Sequence, residues 1–166
     1  MHTTGMTIQK KQMTIRVDIQ RATGEEDIPD NRQIRKWVRK VLHGRRDDAE
    51  LTIRIVGSGE AASLNSQWRG KKGPTNVLSF TFEDDQGHAP GLLGDIVICA
   101  PVIQKEAMEQ NKPVEAHWAH MIIHGTLHLL GYDHREKAET RKMESLEIKL
   151  LDSLGYRNPY VMNETL

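Results

Sequence analysis

The sequence predicts a single α+β domain in which a mixed four-stranded sheet packs against helices. Short segments with alternating apolar and polar residues are interspersed with segments whose apolar residues recur at helical spacing, and the chain closes with a helical block. A length of 166 residues suits one domain, and 37% hydrophobic with 28% charged residues is typical of a globular protein.

Two strands enclose the first predicted helix. Residues 13–20 alternate Ile15, Val17 and Ile19 with polar residues, and residues 51–55 repeat the pattern. Between them lies a helix that Gly44 ends, and its apolar residues are Ile34, Trp37, Val38, Val41 and Leu42. Ser58 is then expected to cap a short helix running to about residue 68.

Two further strands are predicted on either side of an acidic, glycine-rich loop at residues 83–93. Residues 76–82 form the third strand, with Leu78, Phe80 and Phe82 on one face. Residues 94–100 form the fourth strand and are apolar enough to be central in the sheet. Pro101 suits the first turn of a following helix.

The C-terminal part is predicted to form two helices. Residues 113–130 are apolar around most of the helix circumference, which indicates a buried helix. Residues 135–154 form the last helix, which ends at Gly155. Asp133 has capping-box spacing to Glu136 and is the expected N-cap of this helix.

The ends of the chain are expected to lie outside the domain, with residues 1–12 as a flexible leader and 158–166 as an irregular tail around a domain at 13–157. The N-terminus is polar and lacks the apolar core of a secretory signal, and no apolar run approaches the roughly 20 residues that span a membrane. The single cysteine, Cys99, lies in an apolar stretch and is expected to be buried, so no disulfide forms within the chain. We therefore expect a cytoplasmic protein.

Charge is balanced over the chain but uneven along it. Lysine plus arginine and aspartate plus glutamate number 23 each, so the net charge does not indicate nucleic-acid binding. Basic residues nevertheless cluster at 32–46 and 69–72, while acidic residues concentrate at 25–27, 83–85 and 136–152. A bipolar surface can hold a polyanion on one side. A solvated helix face would explain the first basic cluster equally well.

Three histidines give the main chemical signal. His124 and His128 are about one helical turn apart and project from the same helix face. Gly131 can end that helix and reverse the chain, which would bring His134 towards them. Three converging imidazoles predict one divalent metal ion, most readily zinc, with a fourth position left open as in catalytic sites.

The histidine spacing is that of a branch of the zinc proteases, which carry a glutamate as general base directly after the first histidine. This chain has Gly125 at that position, which argues against peptide hydrolysis by the usual route. An all-imidazole ligand set leaves the charge of the ion uncompensated. It therefore favours an anionic substrate such as a phosphodiester.

Three polar neighbours of the histidines have two interpretations each. His117 and His120 either assist the metal ligands or are core or solvent-contacting histidines, and we favour the second. Asp133 either orients a ligand imidazole or caps the last helix, and we favour the cap.

Three ordered motifs resemble the YbeY family of metal-dependent endoribonucleases. The signature HGxLHLxGYDH is matched by residues 124–134, a second motif by residues 64–70 with 75–80, and a third by residues 94–96. The resemblance covers nearly the whole chain after the leader.

The resemblance implies a zincin-like α+β fold with a zinc ion held by His124, His128 and His134, and an arginine important for activity at Arg69. It also implies maturation of the 3′ end of 16S ribosomal RNA and ribosome quality control, with ribosomal RNA and ribosomal or ribosome-assembly proteins as partners. Two alternatives stay open: a non-catalytic ribosome-assembly factor with a structural metal, and a small metalloprotease-like hydrolase.

Overall fold

The computed structural model describes residues 13–83 and 91–161. Within them, one sheet is surrounded by helices, as predicted for the α+β class. The elements in chain order are β1 (Thr14–Ala22), α1 (Asn31–Leu42), β2 (Asp48–Val56), α2 (Ser58–Arg69), β3 (Val77–Thr81), β4 (Leu92–Cys99), α3 (Ala100–Glu109), α4 (Val114–Leu129) and α5 (Lys137–Ser153).

The sheet has the strand order β1-β2-β4-β3. β1 pairs parallel to β2 and β2 pairs parallel to β4, whereas β3 pairs antiparallel to β4. The sheet is therefore mixed, and β4 is central as its apolar sequence predicted. Ile96 and Ile98 of β4 are completely buried.

Helix α4 lies at the centre of the domain, where it contacts α1, α3, α5 and the strands β3 and β4. Its apolar circumference is buried, including Trp118, Ile122 and Leu127. α2 lies against the opposite face of the sheet, where Leu78 and Val97 belong to a smaller apolar cluster. The predicted metal ligands therefore start from the most firmly packed helix of the fold.

Two predicted helix caps are wrong. Gly57 is the N-cap of α2 and Ser58 is its first residue, so no side chain caps that helix. α5 starts at Lys137 after Glu136, and Asp133 does not cap it. The Asp133 carboxylate instead accepts a hydrogen bond from the backbone N–H of His134, because the chain is still in an irregular turn there.

The loop predicted between β3 and β4 is shorter than expected where the structure describes it. Leu92 and Leu93 already belong to β4, because residues 92–99 complete its pairing with β2. Residues 84–90 of the predicted loop lie outside the described residues. Phe82 follows the end of β3 and is largely exposed.

The ends of the chain are described only in part. Residues 1–12, the predicted leader, lie outside the described residues, as do residues 162–166 of the predicted tail. Tyr156 packs edge-on against Trp37, with 6.4 Å between the ring centroids.

In the described ranges, no helix combines the length and apolar character needed to cross a membrane. Cys99 is buried, as expected. The domain division at 13–157 remains a prediction.

Candidate metal centre

The end of α4 and the turn after it bring the three predicted ligands together. His124 and His128 lie on the last turns of α4, and the Gly131 N–H donates to the carbonyl of His128 at 3.0 Å. Gly131 has φ +100°, a left-handed conformation that reverses the chain and directs His134 back towards the helix. Nitrogen atoms of the three imidazoles all lie within 4.8 Å of one another.

The donor atoms of this triad are suited to a metal ion. His128 Nε2 and His134 Nδ1 face each other at 3.1 Å. His124 uses Nδ1 in a 2.5 Å contact with a carboxylate oxygen of Glu147, which leaves Nε2 for a ligand. Burial, followed by the neighbouring His124 and His134, lowers the pKa of His128 to about 4. Its lone pair is therefore available at neutral pH, so these residues fit a zinc-type ion.

Glu147 of α5 lies behind the triad and is completely buried. One oxygen contacts His124, while the other lies 3.3 Å from His120 Nε2 and accepts a hydrogen bond from the Tyr160 hydroxyl. Burial by itself would raise the pKa of Glu147, but the hydrogen bonds with His120 and His124 outweigh it and hold the pKa at about 2. A charged acceptor on Nδ1 fixes the ring orientation of a metal-ligating histidine and increases its basicity.

The other two histidines of α4 are buried and hydrogen-bonded, as we favoured. His117 Nε2 lies 2.9 Å from Glu106, which also accepts from Asn76 at 3.0 Å. These contacts join α4 to α3 and to the start of β3. Burial lowers the pKa of His120 despite its hydrogen bond to Glu147. His120 is therefore a core histidine whose partner is also the partner of His124.

Arg69 lies across a cleft from the histidines. The cleft has a volume of about 730 Å³, and its lining includes Arg69, residues of β3 and the three histidines. Arg69 is the last residue of α2, and Gly70 ends the helix with φ +63°. The Asn65 side chain donates to the carbonyl of Gly73 at 2.9 Å and holds the following loop. Among described residues, none forms a hydrogen bond or ion pair with the Arg69 guanidinium.

Gly125 is a point of close contact between α4 and the sheet. A Cβ at this position would lie 3.0 Å from Ile96 Cγ2 and 3.3 Å from Ser79 Oγ. Real Cβ atoms rarely approach so closely, so a side chain here would require Ile96 and Ser79 to shift by a few tenths of an ångström. Gly125 therefore allows α4 to pack closely against the sheet. The described carboxylates that line the cleft are Glu83 and Asp133.

Sequence reasoning missed Glu147, Tyr160 and the role of Asn65 in the loop. A signal for Glu147 was present, since it interrupts an apolar stripe at helical spacing formed by Met143, Leu150, Leu151 and Leu154. An acid in such a stripe must find a buried partner. Tyr160 follows the last helix in an irregular segment, and no periodicity indicates its contact.

Comparisons with known proteins agree with this architecture. A family model described as "Endoribonuclease YbeY" matches residues 18–155. The solution structure of TM1509 from Thermotoga maritima is similar to this one with a TM-score of 0.56 and 22% sequence identity, over 92% of this chain and 99% of that chain. The structural likeness supports the fold, and the family model extends over most of the sequence. The chain therefore belongs to the YbeY endoribonuclease family.

Proposed function

We propose that this protein is a zinc-dependent endoribonuclease that cleaves single-stranded RNA. The observation that carries the proposal is one cleft lined both by three converging imidazoles and by an arginine without a partner among the described residues. Such a combination suits phosphodiester cleavage, because negative charge develops on the phosphoryl oxygens during the reaction.

Each of these residues has a distinct role in the proposal. His124, His128 and His134 would hold the ion, which supplies Lewis-acid activation and charge neutralisation when bound. The planar guanidinium of Arg69 binds two phosphate oxygens at once and stabilises their charge. Lys71 and Lys72 are exposed just after Arg69 and add salt-dependent attraction for the RNA backbone.

The cleavage step also needs a group that accepts a proton and a group that attacks the phosphate. The backbone hydrogen bond from His134 lowers the pKa of Asp133, so this carboxylate is charged and a weak base at neutral pH. The attacking group is either water or the neighbouring ribose 2′-hydroxyl. Cleavage products with a 2′,3′-cyclic phosphate would indicate the ribose, and a simple phosphomonoester would indicate water.

We further propose a cytoplasmic role in maturing the 3′ end of 16S ribosomal RNA and in ribosome quality control, with ribosomal RNA and ribosomal or assembly proteins as partners. Membership of the endoribonuclease family supports this role. A defined RNA spanning the 16S 3′ junction should be cut by the metal-loaded protein and left intact after chelation. Cutting that persists in chelator would contradict the metal dependence.

A non-catalytic assembly factor with a structural metal is a second candidate, because Glu147 connects the triad directly to the core. The variant His128→Ala separates the two. The nuclease proposal expects loss of cleavage with the fold retained, whereas the structural role expects the fold to be lost with the metal. A metalloprotease is disfavoured because Gly125 has no side chain to act as general base, and casein digestion with zinc would test it.

The sharpest test of the nuclease proposal is Arg69→Glu, with Arg16→Glu on β1 as the control. Both residues are exposed, and both substitutions change the charge equally. Arg16 is not among the described residues that line the metal cleft. We expect Arg69→Glu to lose RNA cleavage by about 100-fold or more while it keeps zinc content, and Arg16→Glu to cleave normally. Parental cleavage by Arg69→Glu would remove Arg69 from the mechanism.

A further inference from the structure

Two clefts beside the metal cleft are strongly basic. A groove of about 760 Å³ lies between α1 and α5, and a smaller cleft of about 400 Å³ lies next to it. We call their cationic lining the basic groove, and it consists of Lys36, Arg39, Lys40, Arg45, Arg46, Lys142 and Lys149.

The basic groove adjoins the metal cleft through shared lining residues. Arg45 lines both the larger groove and the smaller cleft. Gly131 and Tyr132 line both the smaller cleft and the metal cleft. An RNA strand that leaves the metal cleft at Tyr132 therefore reaches the cations of the basic groove next.

The basic groove is not the solvated face of a single helix. Its cations come from α1, from the turn after α1 and from α5. α5 lies in an acidic stretch of sequence, yet it contributes two lysines here, Lys142 and Lys149. In the described parts of the chain, no carboxylate lines either cleft, and none of the seven cations forms an ion pair.

Seven cations without an ion-pair partner among the described residues repel one another where they lie together, in a chain whose net charge is zero. A polyanion removes that repulsion and gains from release of its counterions. Tyr132 is half-buried at the junction, where Lys142 Nζ lies over its ring at 5.7 Å from the centroid, so an aromatic side chain adjoins the cations. Positive grooves with aromatic side chains are typical of surfaces that bind single-stranded nucleic acid.

We propose that the single-stranded RNA held in the metal cleft continues past Tyr132 and along the basic groove, which binds its backbone phosphates. This inference rests on the proposed nuclease function and extends the substrate contact beyond the cleavage site. It predicts that the groove contributes to affinity for long RNA and not to the chemical step.

The test compares two double variants that each remove one arginine and one lysine from exposed positions. Arg39→Gln with Lys149→Gln alters the groove, and Arg16→Gln with Lys105→Gln is the control elsewhere on the surface. The dissociation constant for a single-stranded RNA of about 20 nucleotides is measured in chelator over a range of salt concentrations. The cleavage rate of metal-loaded protein is measured separately at saturating RNA.

Loss of two phosphate contacts should reduce the slope of log K against log salt by about 1.4 and weaken binding about 25-fold at about 0.1 M salt. The control should bind like the parent, and all variants should cleave at the parental rate when saturated. Equal RNA affinity and equal slope in the groove variant and the parent would overturn the inference. This result is also the one expected if the groove binds an acidic protein instead of RNA. If the parent binds RNA through the groove but never cleaves it, the nuclease proposal fails and the groove inference stands.

Discussion

Replacing Glu147 by glutamine tests how strongly the buried carboxylate supports His124 as a proposed metal ligand. The glutamine carbonyl can still accept from His124 Nδ1, but the negative charge is lost. The new amide group also presents N–H donors where His120 and Tyr160 now contact an oxygen acceptor. Because Glu147 is 0% exposed, water cannot replace the missing acceptor.

The expected effect on metal binding follows from the role of carboxylates behind metal-ligating histidines. Loss of such a partner weakens metal affinity about 10- to 100-fold, or about 1.4 to 2.8 kcal/mol. A buried donor left without its acceptor should also lower the free energy of unfolding of the metal-free protein by about 1–3 kcal/mol.

Zinc affinity would be measured by competition with a chromophoric chelator under conditions in which every variant is folded. Glu139→Gln is the control, since Glu139 lies on the same helix but is exposed. We expect parental affinity for Glu139→Gln and weaker affinity for Glu147→Gln. Zinc binding by Glu147→Gln within about twofold of the parent, well below the expected loss, would refute the argument that this carboxylate supports the ligand.

Three further perturbations follow from the geometry. Gly59→Ala on α2, where nothing lies within 4 Å, should gain up to about 1 kcal/mol from helix propensity; Gly125→Ala should gain less, because its new methyl must displace Ile96 and Ser79, and equal melting temperatures of the two variants would contradict this. In the metal-free protein the pKa of His128 is about 4 against an ordinary 6.5, so on acidification the unfolded state binds a proton before the folded state does. The free energy of unfolding should therefore fall from pH 6.5 to pH 4, by at most about 1.4 kcal/mol per pH unit. His128→Gln should flatten this pH profile in denaturant titrations, and an unchanged profile would contradict the assignment to His128. Asn65→Ala frees the loop that follows Arg69 and should slow RNA cleavage by up to about 100-fold with zinc affinity unchanged; a parental rate would remove Asn65 from the positioning of Arg69.

Much of the fold could be predicted because local pattern and tertiary environment agree. Alternating residues in β1 and β2 match strands with one more deeply buried face, and β4 is central because its apolar residues 96–99 are buried on both faces. The strand order was not predictable from such patterns, since parallel pairing of β2 with β4 joins segments about 40 residues apart.

The convergence of the three histidines could be predicted because they are local. His124, His128 and His134 span a helix end and its glycine turn, so their spacing alone implies convergence. Glu147 was missed because it reaches His124 from another helix, 23 residues along the chain. The cap assigned to Asp133 was wrong for a related reason, since the turn that carries His134 delays the start of α5.

The nuclease proposal depends on the binding of one metal ion by the three imidazoles of His124, His128 and His134. This binding is tested most directly by X-ray absorption at the zinc edge, together with metal analysis, on the full-length protein dialysed against zinc. We expect one zinc per chain with three histidine ligands, and a shell that loses a histidine in His128→Ala. Protein without stoichiometric zinc, or a ligand shell unchanged by His128→Ala, would contradict this expectation.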